Sequence, residues 1–222
     1  MNSELKYAPE STACFTGHRL IPAAEKDRVI RRLDDAVSRA YRDGYRRFIC
    51  GGALGFDTMA AQAVIRFRRG HPDVSLVLAV PCAGQADRWS EAEKKTYSDI
   101  LLEADTVCEL SPAYYDGCML ARNQFMVNHS SLCVCYLKHF RGGTGYTVRY
   151  AVSRQLKLVN LAMDTLTGPI LMKEWSPRNS IFTFPSAPGN AGTVPSYRLK
   201  DAKGTCPATS VRYSGRRNKE KH

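Results

Sequence analysis

The sequence predicts an α/β fold: a doubly wound, mostly parallel, Rossmann-like sheet of about six strands with helices on both faces. Short apolar runs alternate along the chain with longer segments whose apolar residues recur at helical spacing. This alternation favours parallel strands, because each helix returns the chain to the same end of the sheet. Several loops between a strand and the next helix are rich in glycine, which permits tight turns.

The chain divides into two parts by composition. Residues 1–163 carry the alternating pattern and are predicted to form the α/β domain. Residues 164–222 are rich in proline and glycine, and we expect a mobile linker and an irregular basic tail, with a short edge strand at Ile181–Phe184. From Ser196 onward eight basic residues face two acidic ones, so the tail carries +6 of the formal charge of +11.

The strands and helices are predicted from periodicity and from end signals. The predicted strands are residues 12–15, 46–50, 75–80, 106–110, 132–137 and 157–161. The first helix is predicted over residues 22–43, and Gly44 ends it. Ser90 and Glu93 form a Ser-x-x-Glu capping box, which predicts where the third helix begins. Sheets of this class bind ligands beyond the carboxyl ends of their strands.

The most glycine-rich loop, Arg141–Thr147, lies between the fifth strand and the helix that follows it. Glycines let backbone N–H groups approach a ligand closely, and the start of a helix offers unpaired N–H donors to an anion. The pattern fits a phosphate cradle and a plain tight turn equally well. The candidate ligand-binding residues here are Gly142, Gly143, Thr144, Gly145 and Thr147.

A second glycine loop follows the second strand and contains Gly51, Gly52 and Gly55, which are also candidate ligand-binding residues. Asp57 stands where an N-cap residue belongs, and a cap stabilises a helix by about 1 kcal/mol. The alternative is a carboxylate that accepts a hydrogen bond from a ribose hydroxyl. One side chain can serve both purposes at different moments.

Two polar residues interrupt the apolar face of the helix before the fifth strand. Arg122 and Asn123 lie at helical spacing with the apolar residues Met119, Met126 and Val127. A buried charge without a partner is very costly. Arg122 therefore has either an internal salt bridge or a bound anion, which suits the guanidinium fork.

The loop after the third strand adds Gln85, Arg88 and Trp89 to the candidate ligand-binding residues. Trp89 precedes the capping box, and the residue at its usual packing position, Lys94, is not apolar. The indole therefore either covers the edge of the sheet or stacks on the base of a ligand. The loop after the first strand adds the candidates Gly17, His18 and Arg19.

In their order along the chain, these motifs resemble those of a known family. They are Cys14-Phe15-Thr16-Gly17-His18-Arg19, Gly51-Gly52-Ala53-Leu54-Gly55-Phe56-Asp57, Pro81-Cys82-Ala83-Gly84-Gln85, Arg88-Trp89-Ser90, Gly117-Cys118-Met119, Arg122-Asn123, Met126-Val127 and Gly142-Gly143-Thr144-Gly145-Tyr146-Thr147-Val148-Arg149-Tyr150-Ala151. They are similar to the motifs of the YpsA-type branch of the SLOG superfamily, Rossmann-like proteins that include the Lonely Guy phosphoribohydrolases and the DNA-processing protein DprA/Smf. The resemblance covers residues 12–163 and implies a site for a nucleotide or nucleotide-derived ligand between the two glycine loops.

The resemblance also implies that the catalytic half of the site has changed. Lonely Guy enzymes use an arginine in a Met-x-x-Arg context, which Met119–Arg122 matches, and a glutamate at the position that Arg149 occupies here. Cleavage of an N-glycosidic bond passes through a cationic state that a carboxylate stabilises, and Arg149 has the wrong charge for this. We therefore favour ligand binding or sensing. The alternatives are an N-glycosidase or transferase with its carboxylate relocated to Asp57, Asp87 or Asp116, and DprA-like binding of single-stranded nucleic acid.

Composition also limits the compartment and the partners. No apolar stretch approaches the ~20 residues that span a bilayer, and the N-terminus lacks a secretory pattern, which predicts a cytoplasmic protein without a membrane partner. The cysteines in predicted strands are expected to be buried thiols, and no Cys/His spacing predicts a metal site. No cofactor is certain, and the expected partner is a nucleotide-type ligand such as ADP-ribose, NAD or a nucleoside phosphate. A basic tail is usually solvated, and the alternative is a weak, salt-sensitive contact of the tail with nucleic acid; the sequence is compatible with a homo-oligomer.

Overall fold

The structure, a computed structural model, describes residues 8–163 and 198–200. The strands are β1 (Thr12–Gly17), β2 (Arg47–Cys50), β3 (Ser75–Val80), β4 (Thr106–Glu109), β5 (Leu132–Tyr136), β6 (Lys157–Asn160) and β7 (Arg198–Lys200). The helices are α1 (Ala23–Arg42), α2 (Phe56–Arg68), α3 (Glu91–Glu103), α4 (Cys118–Asn128) and α5 (Gly142–Ser153). A short 3₁₀ turn, Pro9–Ser11, precedes β1.

The strands form one sheet in the order β6-β5-β1-β2-β3-β4-β7. Strands β1 to β6 pair in parallel, which confirms the doubly wound, Rossmann-like fold. The chain moves outward from β1 through β2 and β3 to β4, and then crosses back to β5 on the other side of β1. The strand order therefore reverses between β1 and β5. Open α/β sheets bind ligands beside such a switch point, at the carboxyl ends of the strands.

The seventh strand comes from the segment that the sequence assigns to the tail. β7 pairs antiparallel with β4, with Leu199 opposite Cys108. Its sequence, Arg198-Leu199-Lys200, is too short to show a periodic pattern and carries two charges, so the sequence gives no strand signal there. The edge strand predicted at Ile181–Phe184 lies outside the described residues.

Two apolar cores pack on opposite faces of the sheet, because successive strand residues point to opposite sides. In β1, Phe15 belongs to the core that also contains buried residues of α1, α2 and α3, whereas Cys14 belongs to the core of α4 and α5. Cys133 and Cys135 of β5 share the second core and are buried free thiols, as predicted. Helices cover both faces, and this explains why most residues of the central strands β1, β2 and β5 are buried.

The helices lie close to their predicted positions. The capping box of α3 is present: Ser90 Oγ accepts from the Glu93 N–H at 3.4 Å, and the Glu93 carboxylate accepts from the Ser90 N–H at 2.9 Å. Within residues 8–163 and 198–200, the helices are too short or too polar to span a bilayer.

The junction between β1 and α2 depends on two glycines. A Cβ on Gly17 would collide with the ring of Phe56, and a Cβ on Gly55 would collide with the backbone of Arg19. Gly55 has φ 79° and ψ −117°, a conformation that residues with a Cβ rarely adopt. These glycines therefore allow the loop after β1 to contact the start of α2.

We expect Gly55→Ala to lower the free energy of unfolding by at least about 2 kcal/mol, because backbone strain and steric overlap add at one position. Gly70→Ala is the matched control, because the nearest atom to a Cβ there is 4.0 Å away. Urea unfolding followed by circular dichroism measures both variants. Equal unfolding midpoints for the two variants would contradict this prediction.

Candidate ligand-binding site

A cavity of about 680 Å³ lies at the carboxyl edge of the sheet, and we call it the central cavity. It is lined by Arg19, Ala53, Leu54, Cys82, Ala83, Gly84, Gln85, Asp87, Arg88, Trp89, Tyr114, Met119 and Arg122. These residues belong to the loops after β1, β2, β3 and β4 and to α4. Three arginines and one aspartate make the walls positive. The volume lies within the range of about 300–1,000 Å³ that small-molecule sites occupy.

Arg122 is the most deeply buried charged residue of the central cavity, with 6% of its surface exposed. Its Nε donates to Asn123 Oδ1 at 2.7 Å, and its Nη1 donates to the carbonyl oxygen of Gly51. No carboxylate of the described residues forms an ion pair with Arg122, and none of those residues accepts a hydrogen bond from Nη2. The salt-bridge alternative is therefore not found in this part of the chain.

Gly51 is the point at which Arg122 and Asp57 approach the loop after β2. A Cβ on Gly51 would collide with the guanidinium and would lie 2.6 Å from Asp57 Oδ2. Gly55 is the N-cap of α2, so the N-cap prediction for Asp57 is wrong. Asp57 is the second residue of the helix, it is 5% exposed, and the N–H groups of Ala53 and Gly51 stabilise its carboxylate. Asp57 therefore holds the loop that presents the Gly51 carbonyl to Arg122.

Burial raises the pKa of Asp57 to about 6, although the positive charge of Arg122 and the hydrogen bonds from Ala53 and Gly51 act in the opposite direction. Burial also lowers the pKa of Arg122, while the charge of Asp57 opposes this shift. The two groups thus stabilise each other's charged forms without a direct ion pair.

Asn123 links Arg122 to the start of α5. Its Oδ1 accepts from Arg122, and its Nδ2 lies 3.9 Å from the position of a Cβ on Gly143. The Arg122–Asn123 pair therefore lies between the two glycine loops, with Arg122 against Gly51 and Asn123 near Gly143. Gly142 is the first residue of α5, and no side chain caps the helix. The first-turn N–H groups beside Asn123 are open to an anion.

Gln85 and Trp89 form the wall of the central cavity beside α3. Gln85 Nε2 donates to the Gly52 carbonyl oxygen at 2.9 Å, and its Oε1 is buried with no partner among the described residues. Trp89 packs edge-to-face on Tyr97 of α3, with ring centroids 5.3 Å apart. A Cβ on Gly52 would lie 3.0 Å from the same tyrosine ring. Trp89 therefore has an aromatic partner in the fold and also lines the central cavity.

His18 connects the loops after β1 and β5 and does not line the central cavity. Its Nε2 accepts the backbone N–H of Lys138 at 3.0 Å, and its ring stacks on His139 with centroids 4.2 Å apart. Burial, together with the charges of His139 and Lys138, lowers the pKa of His18. The imidazole of His18 is therefore neutral, with Nε2 as its acceptor, and it connects the loops that follow β1 and β5, the two strands beside the switch point.

The remaining candidates in α5 contact the protein itself. Thr147 is buried and donates to the Gly143 carbonyl at 2.8 Å. A Cβ on Gly145 would collide with the backbone of Phe140, whose carbonyl also accepts from Arg149 Nη1 at 2.9 Å. Of the predicted site residues, those that line the central cavity are Arg19, Gln85, Arg88, Trp89 and Arg122. Those that do not line it are Gly17, His18, Gly51, Gly52, Gly55, Asp57, Asn123, Gly142, Gly143, Thr144, Gly145 and Thr147.

The sequence analysis did not select several residues that line the cavity. The clearest examples are Cys82 and Tyr114. Each lies in a loop after a parallel strand or at the start of the next helix. Open α/β sheets bind ligands at the carboxyl ends of their strands. If every loop after a parallel strand is treated as a candidate on this ground, Tyr114, which is 66% exposed, is included although it belongs to no motif.

The parallel sheet, the switch point and the positive cavity define a Rossmann-like α/β domain with a cavity in the usual ligand position of such folds. The family model described as the YspA SLOG family (YpsA) matches residues 23–167, and the chain belongs to this family. UPF0398 protein BH1768 of Halalkalibacterium halodurans is 34% identical over 128 residues, which are 56% of this chain and 68% of that protein. UPF0398 protein YpsA of Bacillus subtilis is 27% identical over 138 residues, 61% of this chain and 72% of that protein.

Two solved structures of DNA processing protein A are also similar to the chain. For the Helicobacter pylori protein, whose single-stranded DNA binding mode has been described, the TM-score is 0.49 at 19% identity, over 68% of this chain and 65% of that one. For the Streptococcus pneumoniae protein the TM-score is 0.49 at 17% identity, over 72% of this chain and 51% of that one. Similarity at this level says nothing about ligands or partners.

We expect Asp57→Asn to change how stability depends on pH. The folded-state pKa of Asp57, about 6, exceeds the ordinary value of 3.8, so the folded state binds the proton more tightly. Its contribution to stability is complete below about pH 4 and is lost as the pH rises through 6. The stability of Asp57→Asn relative to wild type should therefore rise between pH 4 and 7.5, by about 2–3 kcal/mol. Urea unfolding at a series of pH values tests this, and a difference independent of pH would contradict it.

Proposed function

We propose that the chain binds a nucleotide or a nucleotide-derived ligand in the central cavity and acts as a sensor or binding protein. One observation carries this proposal: a buried arginine faces the cavity without an ion-pair partner among the described carboxylates. A buried, unpaired guanidinium is costly, and a bound anion offsets that cost.

The geometry around Arg122 suits a phosphate. Neutral acceptors, Asn123 Oδ1 and the Gly51 carbonyl, fix its Nε and Nη1 and so orient the planar guanidinium. A pre-oriented guanidinium loses little entropy when it binds an oxyanion. The uncapped start of α5 lies beside Asn123 and outside the lining of the central cavity, so Arg122 is the residue on which phosphate binding depends.

Other residues that line the central cavity suit a base and a sugar. Trp89 and Tyr114 supply aromatic rings, and Gln85 supplies a polar edge whose Oε1 lacks a partner. The exposed Arg19 and Arg88 add positive charge that would attract a polyanionic ligand. A cavity that combines aromatic rings with several cations favours a nucleoside phosphate, ADP-ribose or NAD over an uncharged metabolite.

We expect one or more members of a panel of inorganic phosphate, AMP, ADP-ribose, NAD and cyclic AMP to raise the melting temperature of the full chain. A ligand at 100 times its Kd should raise it by about 5–10 °C. Arg122→Ala should weaken the affinity about 10- to 100-fold, because a charge-assisted hydrogen bond is lost. Arg66→Ala is the matched control, since Arg66 forms an exposed ion pair with Asp34 elsewhere. Differential scanning fluorimetry and calorimetric titration measure both effects.

Two further variants separate binding from folding. Arg122→Lys keeps the positive charge but loses the planar guanidinium, which can donate two hydrogen bonds to one oxyanion. The affinity of this variant for the ligand should therefore lie between those of wild type and Arg122→Ala. Gly143→Val adds bulk where a Cβ meets only Asn123 Nδ2 at 3.9 Å, so the fold should persist, and a loss of affinity in this variant would show that the ligand also reaches the start of α5. Equal stabilisation of wild type and Arg122→Ala by every ligand would overturn the proposal, as would a panel without any effect.

An N-glycosidase is the second candidate, because Asp87 lines the central cavity whereas Asp57 and Asp116 do not. Arg149, at the position of the family glutamate, donates to the Phe140 carbonyl and does not line the cavity. We therefore expect no release of free base from nucleoside monophosphates, measured by liquid chromatography over hours. Release that Asp87→Asn abolishes and Asp116→Asn preserves would establish the enzyme instead.

Contact with nucleic acid remains a hypothesis about the basic tail. Most of that tail lies outside the described residues, and only the backbone of β7 is placed, at the edge of the sheet.

A further inference from the structure

Three hydrogen bonds hold His18 in the loop after β1, and one of them depends on pH. The His18 N–H donates to the Tyr136 carbonyl oxygen at 3.3 Å, and the N–H of Phe56, an uncharged residue of α2, donates to the His18 carbonyl oxygen at 3.3 Å. Protons do not affect these two backbone bonds. The third bond, from the Lys138 N–H to His18 Nε2 at 3.0 Å, exists only while Nε2 is unprotonated.

Protonation of His18 would turn this third contact into a repulsion. A proton on Nε2 would face the Lys138 N–H, so that a donor meets a donor and the hydrogen bond is lost. The imidazolium would also lie against His139, whose ring stacks on His18 with centroids 4.2 Å apart. The lost bond and the added positive charge both favour separation of the loop after β5 from the loop after β1.

The charged and titratable groups beside His18 come from β5, from the loop after it and from α1. Tyr136 meets the His18 ring edge to face with centroids 6.2 Å apart, and Lys138 and His139 follow it in the chain. Glu25 of α1 accepts from Tyr136 Oη at 2.6 Å and forms an ion pair with Lys138 Nζ. The hydrogen bonds from Lys138 and Tyr136 lower the pKa of Glu25 to about 2, so this carboxylate stays charged while His18 titrates.

The loop after β5 is fixed on both sides of its contact with His18. At its beginning, the Leu137 N–H donates to Asn160 Oδ1 at 3.0 Å, and Asn160 Nδ2 donates to the Leu137 carbonyl oxygen at 2.9 Å. At its end, Arg149 of α5 donates to the Phe140 carbonyl oxygen at 2.9 Å. The bond to His18 lies between these two points. Its loss would therefore free the backbone of the intervening residues, next to the start of α5.

We propose that His18 is a pH-sensitive contact: in its neutral form it holds the loop after β5 against the loop after β1, and its protonation releases the segment that leads into α5. The residue after His18, Arg19, lines the central cavity. The released segment ends at the start of α5, where Gly143 lies near Asn123. The protonation state of one imidazole is thereby coupled to two parts of the candidate ligand-binding site.

The surroundings of His18 determine the direction of the effect. Burial, together with the positive charges of His139 and Lys138, lowers the pKa of His18 below the ordinary value of 6.5. The folded state therefore binds this proton more weakly than the unfolded state does. The contribution of His18 to stability is present above pH 6.5 and is lost as the pH falls through the lowered pKa. Asp57 acts in the opposite direction, so wild type and each variant are compared at the same pH.

The first test is nuclear magnetic resonance of the full chain between about pH 8 and 5. The chain has five histidines, so the His18 imidazole is assigned by its absence in His18→Gln. We expect its titration midpoint to lie below 6.5 and the Lys138 amide resonance to move with the same midpoint. His139→Gln should raise this midpoint, because a like charge is removed. A Lys138 amide that does not follow His18, or a midpoint at or above 6.5, would overturn the proposal.

The second test is thermal unfolding, which separates the hydrogen bond from the proton. A glutamine at position 18 can accept the Lys138 N–H but does not titrate. Between about pH 7.5 and 5 the melting temperature of wild type should therefore fall by about 2–4 °C relative to His18→Gln. His71→Gln is the matched control, because His71 Nδ1 lies 3.0 Å from the Phe67 carbonyl oxygen and keeps that contact when protonated. Parallel pH dependence of wild type and His18→Gln would contradict the proposal.

A consequence for the ligand rests on the proposed function. Release of the segment before α5 should weaken ligand binding, so the ratio of the wild-type Kd to that of His18→Gln should rise about 3- to 10-fold from pH 7.5 to 5. Calorimetric titration with ADP-ribose measures this ratio. The same ratio at both pH values would remove the effect on the ligand and leave the pH-sensitive contact standing. Failure of the whole ligand panel would remove the proposed function without changing the titration of His18 and Lys138.

Discussion

The arrangement of the carboxyl edge of the sheet depends on one buried guanidinium. Arg122 is held by a backbone carbonyl on one side and an amide oxygen on the other, so its charge is oriented but not neutralised by direct contact. This contact requires a glycine at position 51, because any Cβ there would occupy the space of the guanidinium. A single side chain on α4 thereby holds the loop after β2 and also orients Asn123, which lies beside the start of α5.

The glycines of the two loops have different physical roles, which their sequence does not distinguish. Gly51 makes room for Arg122, whereas Gly55 and Gly145 make room for the backbones of Arg19 and Phe140. Only Gly142 and Gly143 leave open space in front of a helix start. Most glycines of these two motifs are thus required because the carboxyl-end loops pack closely. Few of them leave backbone N–H groups open to a ligand.

Three features could be predicted from the sequence because each has a local signal. The alternation of strands and helices predicts the doubly wound, parallel sheet, and the Ser-x-x-Glu pattern predicts the capping box of α3. A charged residue on an apolar helix face singles out Arg122. It could not predict β7, which is too short for periodicity and pairs with a strand far away in the chain. It also placed Asp57 at the N-cap, because Gly55 and Asp57 both suit that position.

The charge pattern of the site bears on whether binding leads to chemistry. Interactions that hold the ground state and the transition state equally well raise affinity but do not accelerate a reaction. A guanidinium held rigidly by Gly51 and Asn123 would bind a phosphate in this uniform way, since the phosphate does not change during cleavage of a glycosidic bond. Acceleration needs a carboxylate that responds to the developing positive charge on the sugar, and among the residues that line the central cavity only Asp87 carries one. The contacts of Arg122 therefore bear on the binding that we propose, and turnover would depend on Asp87 instead.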